Sequence, residues 1–156
     1  MEAFLAFKYV HVLAMFFAIA LALSTEQVVR RVAGSGDPRS IETAVNRSEP
    51  LNRASDALFG IGIVAGIIAA LTGNMNLLAP WLVLSYVAVA AAFAVGMLVI
   101  SPWSKRLGAA AAASPDGTAS PELRAVIDDA GARIGSWVLV GLIALLVFLM
   151  VVQPLR

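Results

Sequence analysis

The sequence predicts an all-α protein, specifically an integral membrane up-down four-helix bundle with both termini on the outer face (N-out/C-out). Three observations predict it. Residues 57–104 contain no Asp, Glu, Lys or Arg. One membrane-crossing helix needs about 20 mostly apolar residues, so this run holds two spans joined by a tight hairpin. Two further apolar stretches, residues 4–23 and 134–152, bring the spans to four. The composition agrees, at 60% hydrophobic with a mean hydropathy of +0.88.

The expected spans are residues 4–24, 57–73, 77–101 and 134–153, with charged connecting segments at 25–56 and 102–133. Together they make a single membrane domain over residues 1–156. The first span has a basic residue, Lys8, ahead of its apolar run, and Ala20, Leu21 and Ala22 loosely resemble a leader cleavage site. Its length and the following Arg30 and Arg31 favour a retained helix. That helix is expected to continue through Glu26 and Arg30. Residues 34–38, Gly-Ser-Gly-Asp-Pro, read as a break, and residues 39–47 as a short surface helix. Residues 109–120, rich in Ala, Ser, Pro and Gly, read as a mobile linker. Ser120 caps a helix that opens with Pro121. This helix is expected to run unbroken to Val152, about 48 Å at 1.5 Å per residue. Arg124 with Asp128 and Asp129 with Arg133 would pair along it.

Charge placement gives the orientation. Arg30, Arg31, Arg39, Arg47 and Arg53 lie in the first connecting segment, and Lys105, Arg106, Arg124 and Arg133 in the second. The positive-inside rule puts both segments in the cytoplasm, so the termini and the Gly73–Asn76 turn face outward. Trp81, Trp103 and Trp137 fall near span ends, as an aromatic belt requires. The natural location is a bacterial cytoplasmic (inner) membrane, as a multi-pass protein. A net charge of +1 with no basic stripe argues against a nucleic-acid partner. The absence of cysteine removes disulfides and thiolate chemistry.

Helices in lipid meet where small residues allow close backbone approach. Each span offers such a stripe: Ala14, Ala18 and Ala22; Gly62, Gly66 and Ala70; Ala88, Ala92 and Gly96; Gly131, Gly135 and Gly141. The packing set is therefore Gly62, Gly66, Ala70, Ala92, Gly96 and Gly135. Gly62 and Gly66 form a GxxxG, which serves either an internal seam or a homodimer face.

His11 is the sole histidine and shares a helical face with Ala14, Ala18, Ala22 and Thr25. An intramembrane ionisable residue is a functional candidate by default. Depth matching places Ser85 and Tyr86 near it, and a cluster of His11 with one of them is expected. Two readings stay open. In one, a neutral His11 hydrogen-bonds across helices. In the other, His11 is an axial ligand of haem b iron, with Lys8 beside a propionate and Met150, or a histidine of a second protomer or of a partner subunit, supplying the other ligand. Lys8 also suits a snorkelling cation, and the arginines suit topology first and anionic lipid second. No catalytic residues are expected. No span carries a deep acid, and GxSxG, HExxH and Walker motifs are missing.

The chain resembles a widespread bacterial family of four-helix integral membrane proteins, a domain of unknown function related to the copper-resistance D-type membrane proteins. The resemblance rests on Lys8-Tyr9-Val10-His11-Val12-Leu13, Leu71-Thr72-Gly73, Pro80-Trp81-Leu82 and Met150-Val151-Val152-Gln153-Pro154. It implies a fold and a membrane location, and no reaction. The opening Lys-x-x-His also looks like that of the haem-containing protoporphyrinogen oxidase family. The aromatic and arginine continuation of the first helix and a lysine in the third are missing here, so that activity is not carried over. The expected function is a small non-enzymatic membrane module acting by helix association, as a homo-oligomer or an accessory or assembly subunit of a larger complex. Its expected partners are membrane lipids and other membrane subunits, and its cofactor is none or haem b.

Overall fold

The computed structural model describes residues 1–115 and 117–154. The fold is all-α, with no strand among the described residues. Four helical rods are long and apolar enough to cross a membrane: Glu2–Ala33, Pro38–Thr72, Pro80–Ala112 and Pro121–Val152. The chain divides into two compact units, Met1–Asn76 and residues 77–156.

The first unit is an antiparallel hairpin of α1 (Glu2–Ala33) and α2 (Pro38–Thr72). α1 continues through Glu26 and Arg30 as expected, and their ion pair at 2.9 Å lies along its last turns. The break falls where Gly and Pro demanded it. Gly36 takes φ +69, which glycine adopts without a Cβ penalty. Asp37 caps α2 by accepting from the Ser40 N–H at 3.0 Å, and Pro38 fills the first turn. Residues 39–47 are no separate surface helix. They are the first turns of α2, which runs unbroken through Pro50 into the apolar stretch.

The seam between α1 and α2 is made of small residues. Along α2 the buried positions include Ile41, Ser48, Ser55, Gly62 and Ala69, one every seventh residue. A seven-residue period keeps one stripe facing a partner when helices cross at a shallow angle. α1 answers with buried Ala14, Ala18, Thr25, Val29 and Ala33.

In the second unit, α3 (Pro80–Val95) passes through a π-helical turn (Gly96–Ile100) into α4 (Ser101–Ala112). Pro102 explains the turn. It has no N–H, and its ring crowds the carbonyl four residues back. Widening the preceding turn relieves that crowding, and the Ser101 N–H reaches the Gly96 carbonyl instead. A second hairpin follows, between α4 and α5 (Pro121–Ile127), with Trp103, Leu107, Ala111 and Leu123 buried in it. Part of the expected linker is therefore helical, through Ala112. Ser120 caps α5 through the Leu123 N–H at 3.1 Å, as expected.

The last rod departs from the sequence reading. It breaks at Asp128 and Asp129, and α6 (Ala130–Val152) starts afresh. Asp129 is the reason. Its carboxylate accepts from the Ala132 N–H at 3.0 Å and pairs with Arg106 at 2.9 Å, so it serves as a helix cap rather than as a partner for Arg133. The tryptophans also divide. Trp137 is exposed, as a belt residue should be, whereas Trp81 and Trp103 are buried. The Trp103 indole N–H donates to the Val126 carbonyl at 2.9 Å, which ties α4 to α5.

Candidate functional site

The polar side chains of the first hairpin form rungs across its seam. The His11 ring nitrogen Nδ1 lies 2.7 Å from the Gly62 carbonyl. The Ser55 hydroxyl donates to the Ala18 carbonyl at 2.9 Å. The Thr25 hydroxyl lies 2.8 Å from the Asn52 side-chain oxygen and also reaches the Leu21 carbonyl at 2.8 Å. Along α1 these rungs fall at every seventh residue, so each recurs on the same face. Interhelical bonds of this type in lipid are worth about 1 kcal/mol each.

The glycines make the rungs possible. A Cβ at Gly62 would lie 2.7 Å from Met15 Sδ, one at Gly66 would lie 2.6 Å from His11 Nδ1, and one at Gly73 would lie 2.8 Å from the Phe4 ring. Phe4, His11 and Met15 descend one side as Gly73, Gly66 and Gly62 ascend the other. The GxxxG is thus a pair of sockets within the hairpin. Gly66 in particular lets the imidazole approach closely enough to reach the Gly62 carbonyl.

This contact fixes the chemistry of His11. A carbonyl only accepts, so Nδ1 carries the hydrogen. In the neutral ring Nε2 then holds the lone pair. The Nδ1–Cε1 edge faces Gly66, and no described residue hydrogen-bonds to Nε2. A histidine that ligates a metal commonly donates its other ring N–H to a backbone carbonyl, which fixes tautomer and ring orientation. The observed contact is a structural rung, and it leaves Nε2 without a hydrogen-bond partner among the described residues.

Ser85 is buried and donates to the Trp81 carbonyl at 2.7 Å, one turn back on α3. Tyr86 is exposed. Lys8 is exposed, with its ammonium 5.7 Å from the Phe4 ring centroid. Met150 is on α6 and half-exposed. Ala70 and Ala92 are buried. A Cβ at Gly135 would lie 2.8 Å from Val99, whereas one at Gly96, Gly60 or Gly141 would meet nothing within 4 Å. Among the described residues, no group of three His, Cys, Asp or Glu could hold a metal ion.

Sequence reasoning missed Met15, Ser55 and Asn52 as seam residues. The seven-residue recurrence of Ser48, Ser55 and Gly62 was the available signal. It also missed an open cleft of about 520 Å³ between the charged ends of α1 and α2, lined by Val28, Val32 and Leu51 together with Arg39 and Arg47.

Outside the expected spans, two carboxyl groups are perturbed. Hydrogen bonds from the Ser40 side chain and backbone hold Asp37 below its ordinary value of 3.8. The Ala132 backbone N–H, with Arg106 beside it, does the same for Asp129.

These features define a class, an all-α protein of four membrane-length helices with a polar-runged helical hairpin. No protein-family model, curated protein or solved structure matches the chain.

Proposed function

We propose that this chain is a multi-pass protein of a bacterial cytoplasmic membrane, N-out and C-out, that works by helix association as a homo-oligomer or as an accessory subunit of a larger complex. The observation that carries this reading is how the span glycines divide. Gly62, Gly66, Gly73 and Gly135 are sockets already occupied within their own hairpins. Gly60, Gly96 and Gly141 have open space where a Cβ would sit, and of these Gly60 and Gly141 are exposed. A helix that faces only lipid gains nothing from a glycine, which lowers helix propensity by about 1 kcal/mol relative to alanine. Glycine notches in apolar helices are where other helices approach closely. Only between 11% and 28% of the most apolar stretch of each rod is buried, which leaves ample surface for such contacts. The resemblance to the family near the copper-resistance D-type proteins is part of the same proposal, since it implies a membrane module without a reaction.

The test is affinity purification from mild detergent of wild type, Gly60→Leu, Gly141→Leu and Gly62→Leu, followed by sizing. Association through the open notches predicts that the first two variants stay folded and lose self-association or a co-purifying subunit. Gly62→Leu instead disrupts the hairpin itself. Wild-type behaviour of both notch variants would remove the reading's support.

A second reading has its own observation. His11 donates through Nδ1 and leaves the Nε2 lone pair for an axial bond to haem b iron, with Lys8 one turn away for a propionate. Haem would supply one-electron chemistry, and this chain's part would be to hold the imidazole in one tautomer. The chain's single histidine means that a bis-histidine site needs two protomers or a partner subunit, which joins this reading to the first. Visible spectra of the purified protein, oxidised and reduced, test it against His11→Ala. A Soret band lost in the variant supports haem, and a featureless spectrum after haem supplementation sets it aside.

A further inference from the structure

We infer that the open cleft between the charged ends of α1 and α2 is a binding site for an anionic phospholipid. The inference rests on reading α1 and α2 as membrane-crossing, and it goes beyond association. The cleft holds about 520 Å³, within the range of small-molecule sites. It opens beyond the Thr25–Asn52 rung, the last polar contact before the apolar part of the hairpin. Each helix contributes apolar side chains to a lining otherwise made of serines, threonines and arginines, with Val28 and Leu51 exposed and Val32 half-buried.

Two cations line it, Arg39 and Arg47, eight residues apart on one face of α2. Arg39 stands beside the Asp37 carboxylate. Arg47 forms no ion pair with any described residue, whereas Arg30 and Arg53 are paired along their own helices with Glu26 and Glu49. Read through the Thr25–Asn52 rung, Arg47 lies level with Arg30. That is six residues past the end of the first expected span and ten before the start of the second, or about 9–15 Å beyond the hydrocarbon core at 1.5 Å per residue. From there a long arginine side chain reaches back toward the phosphate layer. A phosphodiester beside Arg47 would satisfy the guanidinium, which suits phosphate oxygens in a two-pronged contact. The glycerol and ester groups would lie along Val28 and Leu51, with the acyl chains running on toward the apolar part of the hairpin. Arg39, just over two turns further out, would face a second anionic group or the headgroup. Basic pockets between helices at the cytoplasmic face are the known setting for such recognition. An acidic peptide would satisfy the arginines too, but the exposed Val28 and Leu51 beside them favour a ligand with both an anion and an apolar tail.

The experiment uses the full chain in nanodiscs and native mass spectrometry. Bound lipid is counted in discs mixing phosphatidylglycerol and phosphatidylcholine, for wild type, Arg47→Gln, the Arg39→Gln/Arg47→Gln pair, Leu51→Trp and the control Arg124→Gln. Glycerol phosphate is added separately as a soluble headgroup. The site predicts retained phosphatidylglycerol in wild type and in the control. Retention should fall about fivefold for each arginine removed, from the usual worth of a basic residue near an anionic surface. Leu51→Trp fills the cleft with both charges intact and should also lower retention. Glycerol phosphate alone should not compete, since it lacks the acyl chain. Equal retention of the two lipids by wild type, or unchanged retention in the arginine pair, overturns the site. Competition by glycerol phosphate or by an acidic peptide would also overturn the assignment to a lipid. Failure of the chain to enter discs at all would reject the membrane reading instead, so the two failures are distinguishable.

Discussion

His11 shows how a small change of side chain decides a whole contact. The imidazole reaches the Gly62 carbonyl only because position 66 has no Cβ, which would lie 2.6 Å from Nδ1. Gly66→Ala should therefore act by displacing the ring. His11→Ala removes the rung directly, at about 1 kcal/mol. Because both remove the same bond, we expect their effects on unfolding in detergent to overlap, with the double variant well short of the sum. Additive effects would mean that the glycine and the histidine act separately. The face on which His11 lies was legible from helical spacing, since Ala14, Ala18 and Thr25 on that face are buried. Its hydrogen-bond partner was not, because a backbone carbonyl carries no sequence signal. Depth alone suggested Ser85 and Tyr86, which lie in the other unit; within that unit Ser85 donates to the Trp81 carbonyl.

At the scale of elements, helix ends were easier to read than helix interruptions. Pro121 after Ser120 and Pro38 after Asp37 announce their helices, and both caps form. The break at Asp129 looked like helix because its charges suited pairs four apart. Tertiary contact with Arg106 from α4 decides otherwise. The same holds for Pro102, whose π-helical accommodation depends on the turn before it. Asp37 and Asp129 both have carboxyl groups held below 3.8. Their folded-state values are depressed, so the stability they add is fully present above the ordinary carboxylate value. It is lost as pH falls through the folded-state values, below 3.8. Thermal unfolding in detergent should show a loss of stability over that acid window, and Asp37→Asn with Asp129→Asn should flatten it. A window at neutral pH would contradict these assignments. In the second unit, Leu123 is fully buried beside the α4–α5 hairpin. Leu123→Ala should destabilise that hairpin by about 2–5 kcal/mol, the usual range for opening a packed site. Hydrogen exchange of α4 and α5 measures it, and unchanged protection would count against a folded second connecting segment.

At the scale of the whole molecule, the four spans followed from charge and length alone, because an uncharged run of that extent has few other solutions in a chain of this size. What the glycines do was not legible, since a GxxxG reads the same whether its sockets face a neighbouring turn of the same chain or another protein. The absence of cysteine allows orientation to be measured by single-cysteine labelling. Ser114→Cys should react with an impermeant maleimide only from the cytoplasmic side, and Asn74→Cys only from outside. The reverse pattern would invert the topology. The central claim, association through the open notches at Gly60 and Gly141, is tested most directly by counting chains in native-membrane nanodiscs by stepwise photobleaching. The account predicts more than one chain, or one chain with a fixed partner subunit, for wild type, and lone chains for Gly60→Leu with Gly141→Leu. A lone wild-type chain without a partner, or variants that assemble as wild type does, would contradict it.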